Sequence, residues 1–197
     1  MTDLLLCELP LDENHCRVLG VYSRPGLEIK LCWCKLTSGG RSALAGVLGR
    51  NRGPTRLHYC EIDNVVLADG LRGNSRLKSV SLWISSNLEV GDREVREVVA
   101  IAGALRENKG LVELELRCYY SNMIDESWGA VCDSLKTHPT LEVLDLHGEP
   151  PKAPAPDVIT SRMQVLVDML KVNTTIHTIR LDSCYSEHEL FRGSVIP

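Results

Sequence analysis

The sequence predicts an α/β fold: a curved solenoid of about six strand–helix units, with parallel strands on the concave side and helices on the convex side. Three observations predict this fold. A seven-residue pattern, Leu-x-x-Asn-x-x-Leu, recurs at five places along the chain. Apolar residues four apart precede each copy, which is the spacing of one helix face. Apolar and polar residues alternate after each copy, which is typical of a short strand.

The five copies align without gaps, and the last residue of each copy is taken as its anchor. A histidine replaces the asparagine once, and a proline replaces the final leucine once. The copies cover residues 48–54, 71–77, 105–111, 135–141 and 170–176. A weaker first copy has its anchor at Gly26, so the anchors lie about 30 residues apart on average. A strand–helix unit of this size cannot bury its apolar face alone, and neighbouring units must therefore stack.

Two kinds of residue bound the predicted helices. Asp63, Asp92 and Asp157 occupy positions where helix N-caps are expected. The asparagine of each copy predicts the end of a helix, because asparagine tolerates the left-handed conformation that stops one. Strands in register lie about 4.8 Å apart and packed helices about 8–10 Å apart, so the stack must curve with its strands inside.

The repeats cover residues 26–184, and the segments on either side predict terminal caps. Residues 1–25 are predicted to be an N-terminal cap within the same domain, with a short helix over residues 12–19. Residues 185–197 predict either a C-terminal cap or a truncated last repeat. The proline-rich stretch 148–156 predicts a stiff extended loop, which is either a protruding contact segment or a solvated insertion.

The extended pattern, Leu-x-x-Asn-x-x-Leu-x-x-Leu-x-Leu with a small residue and a leucine upstream, resembles the leucine-rich repeat. The helical connection and the repeat length resemble its ribonuclease-inhibitor-like subclass. The resemblance implies a horseshoe that serves as a recognition surface for another protein. The chain departs from the subclass in two ways, and we therefore expect an irregular horseshoe. Its unit lengths vary, and the Asn or Cys that normally follows the strand appears only as Cys34 and Cys184.

Composition and missing motifs exclude several classes of function. Hydrophobic residues make up 44% of the 197 residues and charged residues 24%, which is typical of a soluble globular protein. The net charge of −4 leaves no global basic footprint for nucleic acid. No apolar run is long enough to span a membrane, and no export signal precedes the repeats, which predicts a cytoplasmic protein. The sequence has no P-loop, zinc-protease or nucleophile-elbow motif, so we expect neither an enzyme nor a cofactor.

The eight cysteines are irregularly spaced and include no Cys-x-x-Cys pair. Reduced thiols are therefore expected, most of them buried as small apolar groups. The anchors place Cys32 and Cys60 at equivalent positions on neighbouring strands, with His58 close by. This arrangement leaves two interpretations open, a metal or redox site and two unrelated thiols.

The side chains between the core leucines of each strand face away from the helices and line the concave surface. Four residues past the anchors these are Lys30, His58, Ser81, Glu115, Asp145 and Arg180. Six residues past the anchors they are Cys32, Cys60, Trp83, Arg117, His147 and Asp182. Two residues past the anchors, where the geometry is less certain, they are Glu28, Arg56, Ser79, Glu113, Val143 and Thr178.

A tryptophan beside an arginine is typical of residues that dominate an interface, although Trp83 could instead pack under a loop. The sequence therefore predicts a non-enzymatic, monomeric module that binds another protein through its concave face. Regulation of a small GTPase, a ligase adaptor and a truncated copy without a partner are the alternatives. The predicted partner-binding residues are Trp83, Arg117, His147, Glu115, Asp145, Arg180, Asp182 and His58.

Overall fold

The computed structural model describes residues 2–24, 27–58, 64–84, 92–118, 125–148 and 156–181. Strands and helices alternate along these residues. The strands are β1 (Thr2–Cys7), β2 (Pro10–Leu11), β3 (Leu27–Cys32), β4 (Lys35–Leu36), β5 (Arg56–His58), β6 (Ser79–Ile84), β7 (Glu113–Cys118), β8 (Val143–Gly148) and β9 (Thr178–Leu181). The helices are α1 (Glu13–Tyr22), α2 (Ser38–Gly49), α3 (Asn64–Leu71), α4 (Asp92–Glu107), α5 (Asp125–Leu135) and α6 (Pro156–Leu170).

Seven of the described strands form one sheet, in the order β1-β3-β5-β6-β7-β8-β9. Every pairing within it is parallel, and β2 and β4 form a small parallel pair beside it. The helices pack against one another in chain order, from α1 on α2 to α5 on α6. The predicted α/β fold with parallel strands and helices is therefore confirmed. None of the described helices is long and apolar enough to cross a membrane.

The core lies between the sheet and the helices, and it is built mainly from leucines. In β7, Leu114 and Leu116 are buried, whereas Arg117 reaches the surface on the other face of the strand. This alternation is the strand pattern that the sequence predicts. In α4, Ile101 and Leu105 are buried four residues apart on one helix face. Each fully buried leucine contributes about 1.5–3 kcal/mol relative to an exposed one.

The asparagines of the repeats do not end the helices in the predicted way. Asn51 alone has the left-handed conformation, with φ of 57°, among the repeat asparagines that the structure describes. Asn74, Asn108 and Asn173 are buried instead. Their side chains accept hydrogen bonds from backbone N–H groups of their own turn and donate to the last helical leucine of the preceding unit. They therefore connect neighbouring units.

Two of the predicted N-caps are wrong. Asp92 is the first residue of α4 and Asp157 is the second residue of α6, so neither lies before its helix. Asp63 lies outside the described residues. The capping side chains that the structure does place are Asp12, which accepts a hydrogen bond from the N–H group of His15, and Thr37, which accepts from Gly40. Both ends follow the usual N-cap chemistry.

The N-terminal segment contains a strand that the sequence analysis did not predict. β1 pairs with β3 over its full length, and α1 packs on α2, so residues 2–24 form a strand–helix unit like those that follow. The predicted helix at 12–19 is present, but it begins at Glu13 and ends at Tyr22. The prediction of a cap in residues 185–197 lies outside the described residues, as does most of the proline-rich stretch.

Candidate protein-interaction surface

The strand register brings the charged side chains of neighbouring strands together. We use the name open face for the sheet surface opposite the helices, formed by the strand residues that alternate with the core leucines. On β7 and β8, Glu115 pairs with Asp145, and Asp145 pairs with Arg180 of β9. Ser79 of β6 pairs with Arg56 on one side and Glu113 on the other. The cross-strand rows predicted for β6 to β9 are therefore correct.

The predicted alignment of β3 with β5 is wrong by two residues. Lys30 pairs with Arg56 instead of His58, and Cys32 pairs with His58. The first repeat copy lacks both the leucine and the asparagine of the pattern, so its anchor at Gly26 was misplaced. A shift of two residues preserves which side chains face the core, because the strand period is two.

The prediction that Cys32 and Cys60 occupy equivalent positions on neighbouring strands is wrong, because Cys32 is in register with His58. Cys60 itself lies outside the described residues. Cys32 instead lies next to Cys7 of β1 and His58 of β5. Burial and the neighbouring Cys7 thiol raise the pKa of Cys32, which favours the unreactive thiol form. The described residues contain no group of three or more His, Cys, Asp or Glu side chains that could hold a metal ion.

Glu113 connects its own strand, β7, to three other strands of the open face. Its carboxylate accepts hydrogen bonds from Arg56 Nη1 of β5 at 3.3 Å and from Ser79 Oγ of β6 at 3.0 Å. Arg180 Nη1 reaches it from β9 at 3.3 Å, passing over the intervening strand β8. Each of these is a charge-assisted hydrogen bond, which is stronger than a bond between neutral groups.

Glu115 lies two residues after Glu113 on β7 and has its own neighbours, one arginine and two histidines. Arg117 Nε donates to Glu115 Oε1 at 2.8 Å, and His147 Nε2 lies 3.6 Å from the same oxygen. His58 Nδ1 lies 3.9 Å from Glu115 Oε2, and its Nε2 lies 3.1 Å from the Ser79 hydroxyl. Burial lowers the pKa of His58 more than the nearby Glu115 raises it, so His58 is neutral at pH 7.

Asp145 completes the cluster on β8. Arg180 Nη1 donates to Asp145 Oδ2 at 3.4 Å, and this hydrogen bond, with the one to Glu113, raises the pKa of Arg180. His147 Nε2 lies 2.8 Å from Asp145 Oδ1 without the angle of a hydrogen bond, and this buried oxygen has no other partner. The network therefore extends without a break from β5 to β9.

Two acids of this network are recessed, and two of its arginines are much more exposed. The side chains of Glu115 and Asp145 are 10% and 13% exposed. The side chains of Arg56 and Arg180 are 44% and 56% exposed. The guanidinium groups of Arg56 and Arg180 are therefore accessible to a binding partner, although the whole chain carries a net charge of −4.

The structure brings six of the eight predicted partner-binding residues onto this face: His58, Glu115, Arg117, Asp145, His147 and Arg180. Trp83 lies on β6 in register with Arg117, but its side chain is outside the described part of the chain, and so is Asp182. Arg56, Ser79 and Glu113 also join the network, although they are not among the predicted partner-binding residues. Their position two residues past the anchors already placed them on the same face of the strands, and this could have identified them.

Comparisons with known proteins show similarity of fold only. No protein-family model matches the chain, and no curated protein matches it. Among solved structures, the chain is similar to one named Leiomodin-1 Actin-Binding Site 2 (ABS2), with 18% identity and a TM-score of 0.50 over 69% of this chain and 75% of that chain. The parallel sheet with helices fits a leucine-rich repeat.

A second solved structure, lysine decarboxylase from Selenomonas ruminantium, aligns with 90% of this chain and 47% of its own. Its identity is 11% and its TM-score 0.28, which is too low to indicate a common fold.

Proposed function

We propose that this chain is a non-enzymatic protein-interaction module that binds its partner through the open face. In this proposal the fold is a leucine-rich-repeat solenoid of the ribonuclease-inhibitor-like subclass, and the open face is its concave side. The side chains proposed to contact the partner are Trp83, Arg117, His147, Glu115, Asp145, Arg180, Asp182 and His58, together with Arg56.

The network of ion pairs and hydrogen bonds from β5 to β9 is the observation that carries the proposal. Exposed ion pairs contribute little to stability, typically about 0–1 kcal/mol each. For recessed carboxylates the cost of desolvation offsets much of the attraction, so stability alone gives no reason for such a cluster. Arginines held in place by recessed carboxylates lose less side-chain entropy when a partner binds them. Arginine is also enriched among the residues that dominate binding energy. The face is thus prepared for a partner with acidic groups.

The similar leiomodin-1 structure is named as an actin-binding site, which makes actin a candidate partner to test. Fold alone does not determine function, so the test includes other proteins as well. Purified actin and a cell lysate serve as two separate sources of partner.

The experiment compares two double variants with the same change in net charge. Arg117→Gln/Arg180→Gln removes two cations of the open face. Arg106→Gln/Lys109→Gln removes two exposed cations at the end of α4, where the described residues offer them no ion pair. Circular dichroism and urea unfolding establish that all three proteins are folded. Binding is measured by co-sedimentation with actin filaments and by quantitative affinity capture from lysate.

We expect the amount of a captured protein to fall by about tenfold or more in the open-face variant and to stay unchanged in the α4 variant. Loss of actin in the first variant alone identifies actin as the partner. If the α4 variant loses binding while the open-face variant retains it, the open face is not the binding site. The proposal is also overturned if the open-face variant captures every protein that the parent captures.

A further inference from the structure

A cleft of about 590 Å³ lies at the amino-terminal ends of β3, β5, β6 and β7. Three cations, Arg56, Arg76 and Lys78, and two acids, Glu28 and Glu113, line it, which gives a net charge of +1. Its volume is within the range of pockets that hold a small ligand or a short peptide segment.

The two acids of the cleft already have other partners. Glu28 Oε2 lies 3.5 Å from Lys30 Nζ of the same strand. Glu113 is bound by Arg56 and by Arg180 from the open face. The two cations of the cleft that have no carboxylate partner among the described residues are Arg76 and Lys78.

Arg76 is fixed by backbone carbonyls and has no carboxylate within 4.0 Å among the described residues. Its Nε donates to the carbonyl oxygen of Gly53 at 2.9 Å, and its Nη2 donates to that of Leu27 at 2.7 Å. A guanidinium has five N–H groups, and Nη1 of Arg76 donates to none of the described residues. The charge is therefore held rigidly, half-buried, with free donors.

Lys78 is held in a similar way. Its Nζ donates to the carbonyl oxygens of Ser75 at 2.8 Å and Gly110 at 3.1 Å, so one of its three N–H groups stays available. Its own backbone is fixed, because Lys78 N donates to Thr55 O and Lys78 O accepts from Val112 N. In the described part of the chain no carboxylate lies within ion-pair distance of this ammonium group either.

We propose that this cleft binds a carboxylate of an acidic segment in the protein partner, between Arg76 and Lys78. The acids Glu28 and Glu113 line the same cleft and repel a second negative charge. A carboxylate, with one charge, is therefore favoured over a phosphate dianion. The inference rests on the proposed function, because the cleft shares Arg56, a residue of the open face, and would take a segment of the same partner.

The test uses the whole chain and a blocked penta-glutamate peptide, with penta-glutamine as the uncharged probe. Binding is followed by two-dimensional amide NMR, where we expect the resonances of Lys78, Ser79 and Val112 to shift. Lys78→Gln is expected to weaken binding by about fivefold or more, whereas Lys78→Arg, which keeps the charge, is expected to retain it. Lys109→Gln is the control with an equal change in net charge, and it is expected to bind like the parent.

Three results would overturn the inference. Penta-glutamate could leave the cleft resonances unshifted at millimolar concentration, or Lys78→Gln and Lys109→Gln could bind it equally. Inorganic phosphate could also bind the cleft more tightly than the peptide, which would assign the site to a phosphate ligand. We expect the peptide interaction to weaken with added salt, as an interaction between partly exposed charges does.

The cleft and the open face are tested with different residues, so their failures are distinguishable. If partner capture depends on Arg117 and Arg180 but the peptide does not bind, only the cleft assignment fails. If the peptide binds through Lys78 but capture is unchanged in Arg117→Gln/Arg180→Gln, only the open-face proposal fails.

Discussion

The side-chain amide of Asn108 donates from Nδ2 to the carbonyl oxygen of Leu71, the last residue of α3, at 2.6 Å. The same nitrogen donates to the carbonyl of Asn74 at 2.8 Å, and Oδ1 accepts from the N–H groups of Gly110 and Leu111 at 2.9 Å each. One buried side chain thus satisfies four backbone groups from two neighbouring units. Asn108 therefore joins the end of α3 to the turn that precedes β7.

Replacing Asn108 by alanine is expected to lower the free energy of unfolding by about 2–4 kcal/mol, because it leaves several buried backbone groups without partners. The measurement is urea unfolding followed by circular dichroism. Asn51→Gly is the control: Asn51 also ends a repeat helix, but its bonds to Ser75 are exposed, and glycine keeps its left-handed backbone. We expect the control to lose less than about 1 kcal/mol. Equal losses would show that the buried bonds of Asn108 have no special role.

His138 occupies the position of these asparagines in its own unit, but it makes fewer bonds. Its Nδ1 accepts from the N–H group of Leu141 at 3.1 Å, while its buried Nε2 has no partner. The bond equivalent to that of Asn108 would run to the carbonyl of Leu105. We expect His138→Asn to form it and to raise the free energy of unfolding by about 1 kcal/mol at pH 7.5. A destabilised variant in the same unfolding measurement would show that the histidine ring fills space that asparagine cannot.

The effect of His138→Asn should also depend on pH. Burial lowers the pKa of His138 below its ordinary value of 6.5, so the folded state holds the neutral ring. The unfolded chain binds the proton more readily, and the stability of the parent is therefore lost as pH falls below about 6.5 towards the folded-state pKa. The variant lacks this group, so its advantage should grow between pH 7.5 and pH 5. His58 titrates in both proteins and cancels from the difference. If the difference in free energy of unfolding between the variant and the parent stays constant over this range, His138 does not cause the loss of stability.

Local patterns predicted the units well because each unit buries the same set of apolar strand and helix positions. Leu114 and Leu116 flank Glu115, and this alternation fixed both the strand and its orientation. The predicted register of β3 was wrong because the repeat copy that ends at Gly26 lacks the leucine and asparagine that mark the other copies. β1 was missed for a related reason, since Leu4, Leu5 and Leu6 run consecutively without alternation. It becomes a strand by pairing with β3.

The site was predicted less completely, because its contacts cross several strands. Arg180 reaches Glu113 from two strands away, and a pattern within one repeat carries no information about such a diagonal. Arg76 and Lys78 precede β6, outside the alternating positions that the sequence analysis considered. Their role depends on which carbonyls and carboxylates surround them, and only the assembled units determine that.

Two glycines offer a direct test of the tight contact between neighbouring units. Gly110 is buried, and a β-carbon added to it would overlap the Cα atom of Ser75 and lie 2.6 Å from its carbonyl carbon, which are backbone atoms that cannot rotate away. We expect Gly110→Ala to lower the free energy of unfolding by about 2–3 kcal/mol, because the turn must move and the bonds of Asn108 and Lys78 to Gly110 move with it. Gly46 lies in α2 and is exposed, with only the Arg50 side chain at 3.6 Å. Gly46→Ala should therefore raise stability by about 0.5–1 kcal/mol through helix propensity. Urea unfolding of both variants checks the pair, and a Gly110→Ala protein as stable as the parent would contradict the close packing of these two turns.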